Sequence, residues 1–458
     1  MASIQDGQPQ EVDPTQATAA QIPLQSFTIP PFPPEAKHLR ALTLTSDIKI
    51  DEYQSLLEKP FSIPSGDNTT TIAQTAPLIE ALTLELFSLG YPAGFLSVLA
   101  NDVAPKTKTL TIYSQLLAGI TDASADDAVR FFERLTELRA VHLLDVFTRP
   151  GFWSRIATHL RSTKDNALAS SPTTSSDQAE KEKEKVDEHQ SSPAKDRKGL
   201  LALELNYTTQ HSDPSFLSKV HSHELPLLIS PSLISLSFNI AEADLTNDPE
   251  DPSNAALQPK ADETDEEKKA RLELEAGRDG VMTFNKSNGA GLIKALTEEG
   301  FAPRELRLLN VTLYTLGLGD VGRVFERHRG LLVVGVTVEV EEAAKTRKEV
   351  LRWLRDHGKG VEQMEVVVSP SLGFYMQINR IPSTALQDAF PTVDDLKKLE
   401  EDGCKLQSFK ATVLRSKHLQ KLEWEKKEGK WIGGFTPGSA QKEEEEKRRK
   451  QETMPVAQ

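Results

Sequence analysis

Three hexads between Pro303 and Ser369 decide the fold: P-R-E-L-R-L from Pro303, L-L-V-V-G-V from Leu331 and V-E-Q-M-E-V from Val361. Each reads Φ-x-x-Φ-x-Φ, with Φ apolar, and the two steps between their starts are nearly equal. One short strand cannot bury its apolar side alone. A period of this length therefore predicts stacked repeats that share a core.

The pattern continues outward in both directions. Upstream it appears from Leu39, Ile79, Thr107, Leu138, Leu200 and Leu233, and downstream from Leu406. Helical periodicity fills several of the returns, most clearly over Lys345 to Asp356, where Val350, Leu351 and Leu354 share one side. A last hexad from Leu419 follows its predecessor at less than half the usual spacing. Followed by Glu428-Gly429, it predicts a closing β-hairpin. L-Q-S-F-T-I from Leu24 is taken as an extended terminal cap.

Two stretches break the rhythm, 161–198 and 243–280, both polar and highly charged. The first makes the interval from Leu138 to Leu200 about two repeats long, and the second does the same between Leu233 and Pro303. Excising either stretch brings its interval back close to a single period. Both are therefore expected to be disordered inserts. Residues 1–21 are expected to be a disordered lead, 22–435 the repeat region and 436–458 a charged tail.

Composition narrows the function classes. The 458 residues carry a net charge of −14, which opposes generic attraction to nucleic acid or an anionic membrane. Cys404 is the only cysteine, so no internal disulfide forms and a reducing compartment suits the chain. No signal-like apolar segment opens the sequence. The longest apolar run, Leu331 to Val338, is far shorter than the roughly 20 residues a spanning helix needs. The expected setting is the cytoplasm or nucleus.

L-x-x-L-x-L hexads at this spacing, with helices in the returns, resemble the leucine-rich-repeat superfamily, in particular its longer ribonuclease-inhibitor and F-box-associated forms. The resemblance covers roughly residues 39–435. It implies an α/β horseshoe solenoid with a parallel sheet on the concave side, helices on the convex side, and protein binding as the use of the concave face. Two features depart from the family. Its turn asparagine is replaced by Asp47, Gln115, Val146, Thr208, Ala241 and Val311, which implies degenerate repeats and irregular turns. No F-box precedes the repeats, which weakens the related expectation of a substrate receptor in a ubiquitin-ligase complex.

Side chains alternate across a strand, and parallel strands lie about 4.8 Å apart, so outward residues of successive repeats should form rows. The central row is expected to hold Thr43, Thr83, Thr111, His142, Glu204, Ser237, Arg307, Gly335, Glu365 and Lys410. Beside it should run Tyr113, Asn206, Asn239, Leu309, Val367 and Thr412. Of these, Tyr113, His142, Glu204, Asn206, Asn239, Arg307, Glu365 and Lys410 are the candidate contacts to a protein or peptide partner. Glu365 and Lys410 are predicted to be cross-strand neighbours, with no strand inserted around Phe374 to Ile378.

No catalytic constellation or cofactor requirement stands out, and the expectation is a non-catalytic scaffold. The one enzyme-like motif is Gly317-Leu318-Gly319-Asp320-Val321-Gly322, a literal G-x-G-x-x-G with Glu339 at the end of the next strand. In a dinucleotide fold such glycines admit a pyrophosphate. Both flanking strands share the repeat phase, however, and the acid lies in a run with Glu341 and Glu342, so a glycine-rich repeat turn is preferred. His221-Ser222-His223-Glu224 lacks further ligands for a metal and is expected to be a solvated turn. Cys404, with no nearby histidine or basic cluster to lower its pKa, is expected to be a half-buried structural thiol.

Overall fold

The computed structural model describes residues 18–29, 37–58, 76–103, 106–162, 199–207, 220–240, 263–270, 288–378, 383–413 and 420–436. The expected tail apart from Thr436 and the whole of 163–198 lie outside these residues, as does most of 243–280. Within the second insert the described residues include an exposed helical turn over 265–270. The chain is α/β and its strands are mostly parallel. It divides into two compact units, residues 1–163 with 171–199, and residues 164–170 with 200–458.

Among the described residues the first unit holds five parallel strands in chain order: β1 (Ala19–Leu24), β2 (Ala41–Ser46), β3 (Ala81–Glu85), β4 (Thr109–Leu116) and β5 (Ala140–Phe147). β1 starts inside the stretch expected to be a disordered lead, and pairing Ala19 with Ala41 makes it a full strand ahead of the Leu24 segment. Helices α1 (Ile50–Glu58), α2 (Phe95–Asp102), α3 (Asp122–Arg134) and α4 (Phe152–Leu160) fill the returns. Their core is aromatic. Phe27, Tyr53, Phe87, Tyr91 and Phe95 pack with ring centroids 4.9–6.2 Å apart.

Among its described residues the second unit runs six parallel strands: β6 (Ala202–Tyr207), β7 (Ser235–Ile240), β8 (Leu308–Leu316), β9 (Val333–Val340), β10 (Gln363–Pro370) and β11 (Ser408–Val413). The antiparallel hairpin of β12 (Lys421–Lys427) and β13 (Lys430–Thr436) then adds to β11. Its two-residue loop, Glu428-Gly429, has φ of 51° and 75°, the left-handed pair that a tight hairpin turn requires. Helices lie over residues 288–297 (α5), Leu318–Arg327 (α6), Ala343–Asp356 (α7), Leu372–Ile378 (α8), Ala385–Ala389 (α9) and Val393–Glu401 (α10). The segment around Phe374 is thus helix, and β10 pairs directly with β11.

One backbone device recurs at strand entries in both units. The carbonyl of the residue after the first Φ accepts N–H groups from two consecutive residues of the next repeat, at 2.7–2.8 Å and 3.0–3.2 Å. Arg40, Glu80, Lys108, Leu201, Ile234, Arg307, Leu332 and Glu362 all serve as that acceptor. The residue preceding each of them is buried, and apart from Thr107 it is aliphatic, from Leu39 and Ile79 through Leu200 and Leu233 to Leu331 and Val361. Burying one such aliphatic side chain contributes about 1.5–3 kcal/mol.

That device corrects the reading of the repeat that opens β8. Arg307 occupies the acceptor position, so Leu306 is the first apolar residue and the hexad is L-R-L-L-N-V rather than the one from Pro303. Leu309 and Val311 are buried beside Leu236 and Val336. The later start lengthens the step from Leu233 and shortens the one to Leu331.

Candidate functional site: the outward rows of the sheets

On most strands the buried aliphatic residues alternate with half-exposed ones, and these outward residues fall into rows because the pairing register is even. In the first unit Gln21, Thr43, Thr83, Thr111 and His142 are successive Cα partners. Next to them run Pro23, Thr45, Glu85, Tyr113 and Leu144. A hydrogen-bond chain crosses three strands here, from Gln21 Nε2 to Thr45 Oγ1 and from Thr45 Oγ1 to Glu85 Oε2, at 3.2 Å each.

In the second unit the row reads Glu204, Ser237, Asn310, Gly335, Glu365, Lys410 and Glu423. Glu204, Glu365 and Lys410 stand where expected, and Lys410 Nζ lies 3.5 Å from Glu365 Oε1. Arg307 does not belong to the row. It sits exposed at the entry to β8 and donates to Gly330 O at 3.1 Å, while Asn310 takes its place. Leu309 is likewise removed from the neighbouring row, because it faces the core.

The neighbouring row begins with Asn206 and Asn239, which are paired and half-buried. Ser237 Oγ donates to Asn206 Oδ1 at 3.0 Å, and Thr312 Oγ1 donates to Asn239 Oδ1. A bulge in β8 between Val311 and Thr315 then interrupts the ladder. Thr312 O accepts from Thr337 Oγ1, so the bulge reaches over β9. Beyond it Thr337, Val367 and Thr412 are Cα partners, and all three are buried. Within the central line Ser237 and Gly335 are buried as well, so the accessible part of this unit's rows is Glu204, Asn310, Glu365, Lys410 and Glu423 with the two asparagines.

Sequence reasoning missed Asn310, although the residues on either side of it signalled the frame: Leu306, Leu309 and Val311 match the hexad better than Pro303, Leu306 and Leu308. The Asn310 side chain lies across Gly335, where a β-carbon would come within 2.8 Å of Asn310 Oδ1. A larger residue at that place in the row therefore requires the Asn310 side chain to shift.

The glycine motif forms a real strand–turn–helix: Gly317 is the N-cap, and α6 starts at Leu318 inside the motif. At its N-cap, Gly317 N donates to Asp320 Oδ2 at 3.3 Å, and Gly317, Leu318 and Gly319 line a cleft. Gly322 faces α7, and a β-carbon added to it would lie 3.2 Å from Trp353 Nε1, so it serves helix packing. Glu339, Glu341, Glu342 and Glu349 rim the cleft above the turn. That charge opposes a pyrophosphate.

The histidine motif is a turn, but only partly solvated. Ser222 is buried, accepting from Asn288 Nδ2 through Oγ and from Tyr314 Oη through its carbonyl, and Glu224 is buried beside His223. Among the described residues no group of three or more His, Cys, Asp or Glu is placed to hold a metal ion. Cys404 is buried, with Sγ 4.0 Å from Gly358 O, and burial raises its pKa. No helix among the described residues is long and apolar enough to cross a membrane. No family model matches the chain, and a search of curated proteins finds no match to it.

Proposed function

We propose that the repeats form a leucine-rich-repeat-like solenoid and that the chain is a non-catalytic scaffold, binding a protein or peptide through the outward face of its strands. The observation that carries this reading is the recurring double hydrogen bond at the strand entries, which puts equivalent outward residues side by side. A parallel ladder with one repeated register presents polar side chains at strand spacing, and a partner can read them as a row. Tyr113, His142, Glu204, Asn206, Asn239, Glu365 and Lys410 are the proposed contacts, with Asn310 replacing Arg307.

The test is affinity purification of the full chain from its native cell, compared with the double variant Glu365→Lys/Lys410→Glu. Both residues are part-exposed, and an exposed ion pair is worth about 0–1 kcal/mol, so the variant stays folded. A partner lost by the variant and retained by Arg307→Glu supports the reading. A partner bound equally by all three proteins places the site elsewhere.

A further inference from the structure

A second surface lies at the rim where β9 and β10 end. There a cleft of about 370 Å³ is lined by Leu318, Glu339, Glu341, Glu342, Lys345 and Glu349. Its charge is mostly negative, with one ammonium among four carboxylates and Arg352 pairing with Glu349 at 2.5 Å. Glu341 and Glu342 are exposed.

Beside this cleft stands an apolar helix side. Ser371 N donates to Val340 O at 2.9 Å, which ties the start of α8 next to Glu341. α8 buries Phe374 and Ile378 but leaves Leu372 79% and Met376 64% exposed. These two stand one helical turn apart, hence on one side of the helix, and are among the most exposed large apolar side chains of the described residues. An acidic helix start would account for Glu341 and Glu342 alone, since carboxylates favour a helix N-terminus. It does not account for the exposed leucine and methionine of the helix that starts beside them.

We infer that this rim docks a peptide segment of a protein partner that carries a lysine or arginine next to an aliphatic or aromatic side chain. The cation enters the acidic cleft, and the apolar neighbour covers Leu372 and Met376. Charge complementarity fixes the basic half of the occupant, and apolar exposure fixes the other half. Methionine, with three rotatable bonds and a polarisable sulfur, adapts to several apolar partners. The surface is separate from the outward rows and stands whether or not those rows bind.

Selection of a random peptide phage library on the immobilised full chain tests this. Enriched peptides should place Lys or Arg within one helical turn's length of sequence from Leu, Ile, Met or Phe. Synthetic copies should lose at least tenfold in affinity with Glu341→Lys/Glu342→Lys and again with Leu372→Ser/Met376→Ser, and lose nothing with Glu365→Lys. All four replaced rim side chains are exposed, so the variants fold, which a thermal melt checks. The inference is overturned if no peptide is enriched, if the enriched peptides lack a basic residue, or if either pair of rim substitutions leaves affinity unchanged.

Discussion

At the residue scale, buried polar groups show which side chains the fold depends on. Asp127 on α3 is buried and accepts from Leu96 N at 2.9 Å and Ser97 N at 3.0 Å. It thereby caps α2, whose own N-cap residue Gly94 offers no side chain. Asp127→Ala leaves two N–H groups unpaired at a largely buried helix start, and denaturant unfolding should show a loss of about 1–3 kcal/mol. His328 is also buried, with Nε2 on Leu296 O at 2.7 Å, and burial lowers its pKa below the ordinary 6.5. The folded state therefore holds this ring neutral. Its contribution is complete above about pH 6.5 and falls away as pH drops below that value, because the unfolded chain binds the proton first. Melting temperature measured from neutral pH down into the mildly acidic range should decline, and His328→Gln should flatten part of the decline. Cys404, buried and with a raised pKa, should react with a thiol reagent at neutral pH only as fast as the chain opens.

At the element scale, glycines separate packing from ligand binding. A β-carbon at Gly358 would lie 2.8 Å from Phe325 Cε1, in the stack that Phe325 makes with Trp353 at 5.9 Å. One at Gly319 meets nothing within 4 Å. Gly358→Ala should therefore destabilise by about 1–3 kcal/mol. Gly319→Ala, at an open helical position, should stabilise by up to about 1 kcal/mol. Thermal melts of the two variants give the comparison, and a large loss at Gly319 would contradict the packing account of this motif. Much of the element level was legible in the sequence. The hexads from Leu39 to Leu406 mark strands, and Val350 and Leu354 mark the buried side of α7. The hairpin after Leu419 was legible too, since a two-residue turn has a strong local signature. β1 was not, because A-A-Q-I-P-L has little apolar contrast and acquires its pairing from β2. The β8 bulge was hidden for a related reason: every residue from Val311 to Leu316 is buried, so alternation, the only local guide to register, disappears.

At the scale of the whole chain, the site depends on frame more than on any single side chain. Starting the repeat at Pro303 instead of Leu306 moved Arg307 into the row and Asn310 out of it. The hydrogen bonds at the strand entries decide between them, and no sequence periodicity contains those bonds. The buried state of Thr337, Val367 and Thr412 was equally out of reach, since it arises from packing over the outward side. The central claim is that, ahead of the β8 bulge, one register carries through β6 to β11 and builds the central row that we propose as the surface a partner reads. Binding isotherms of the co-purified partner test it most directly, with Glu204, Asn310, Glu365 and Lys410 each replaced by tryptophan and Arg307→Trp as the control. The account predicts that members of the row lose at least tenfold in affinity while Arg307→Trp binds as the parent does. Loss at Arg307 with none at Asn310, or losses that skip between strands, would contradict it.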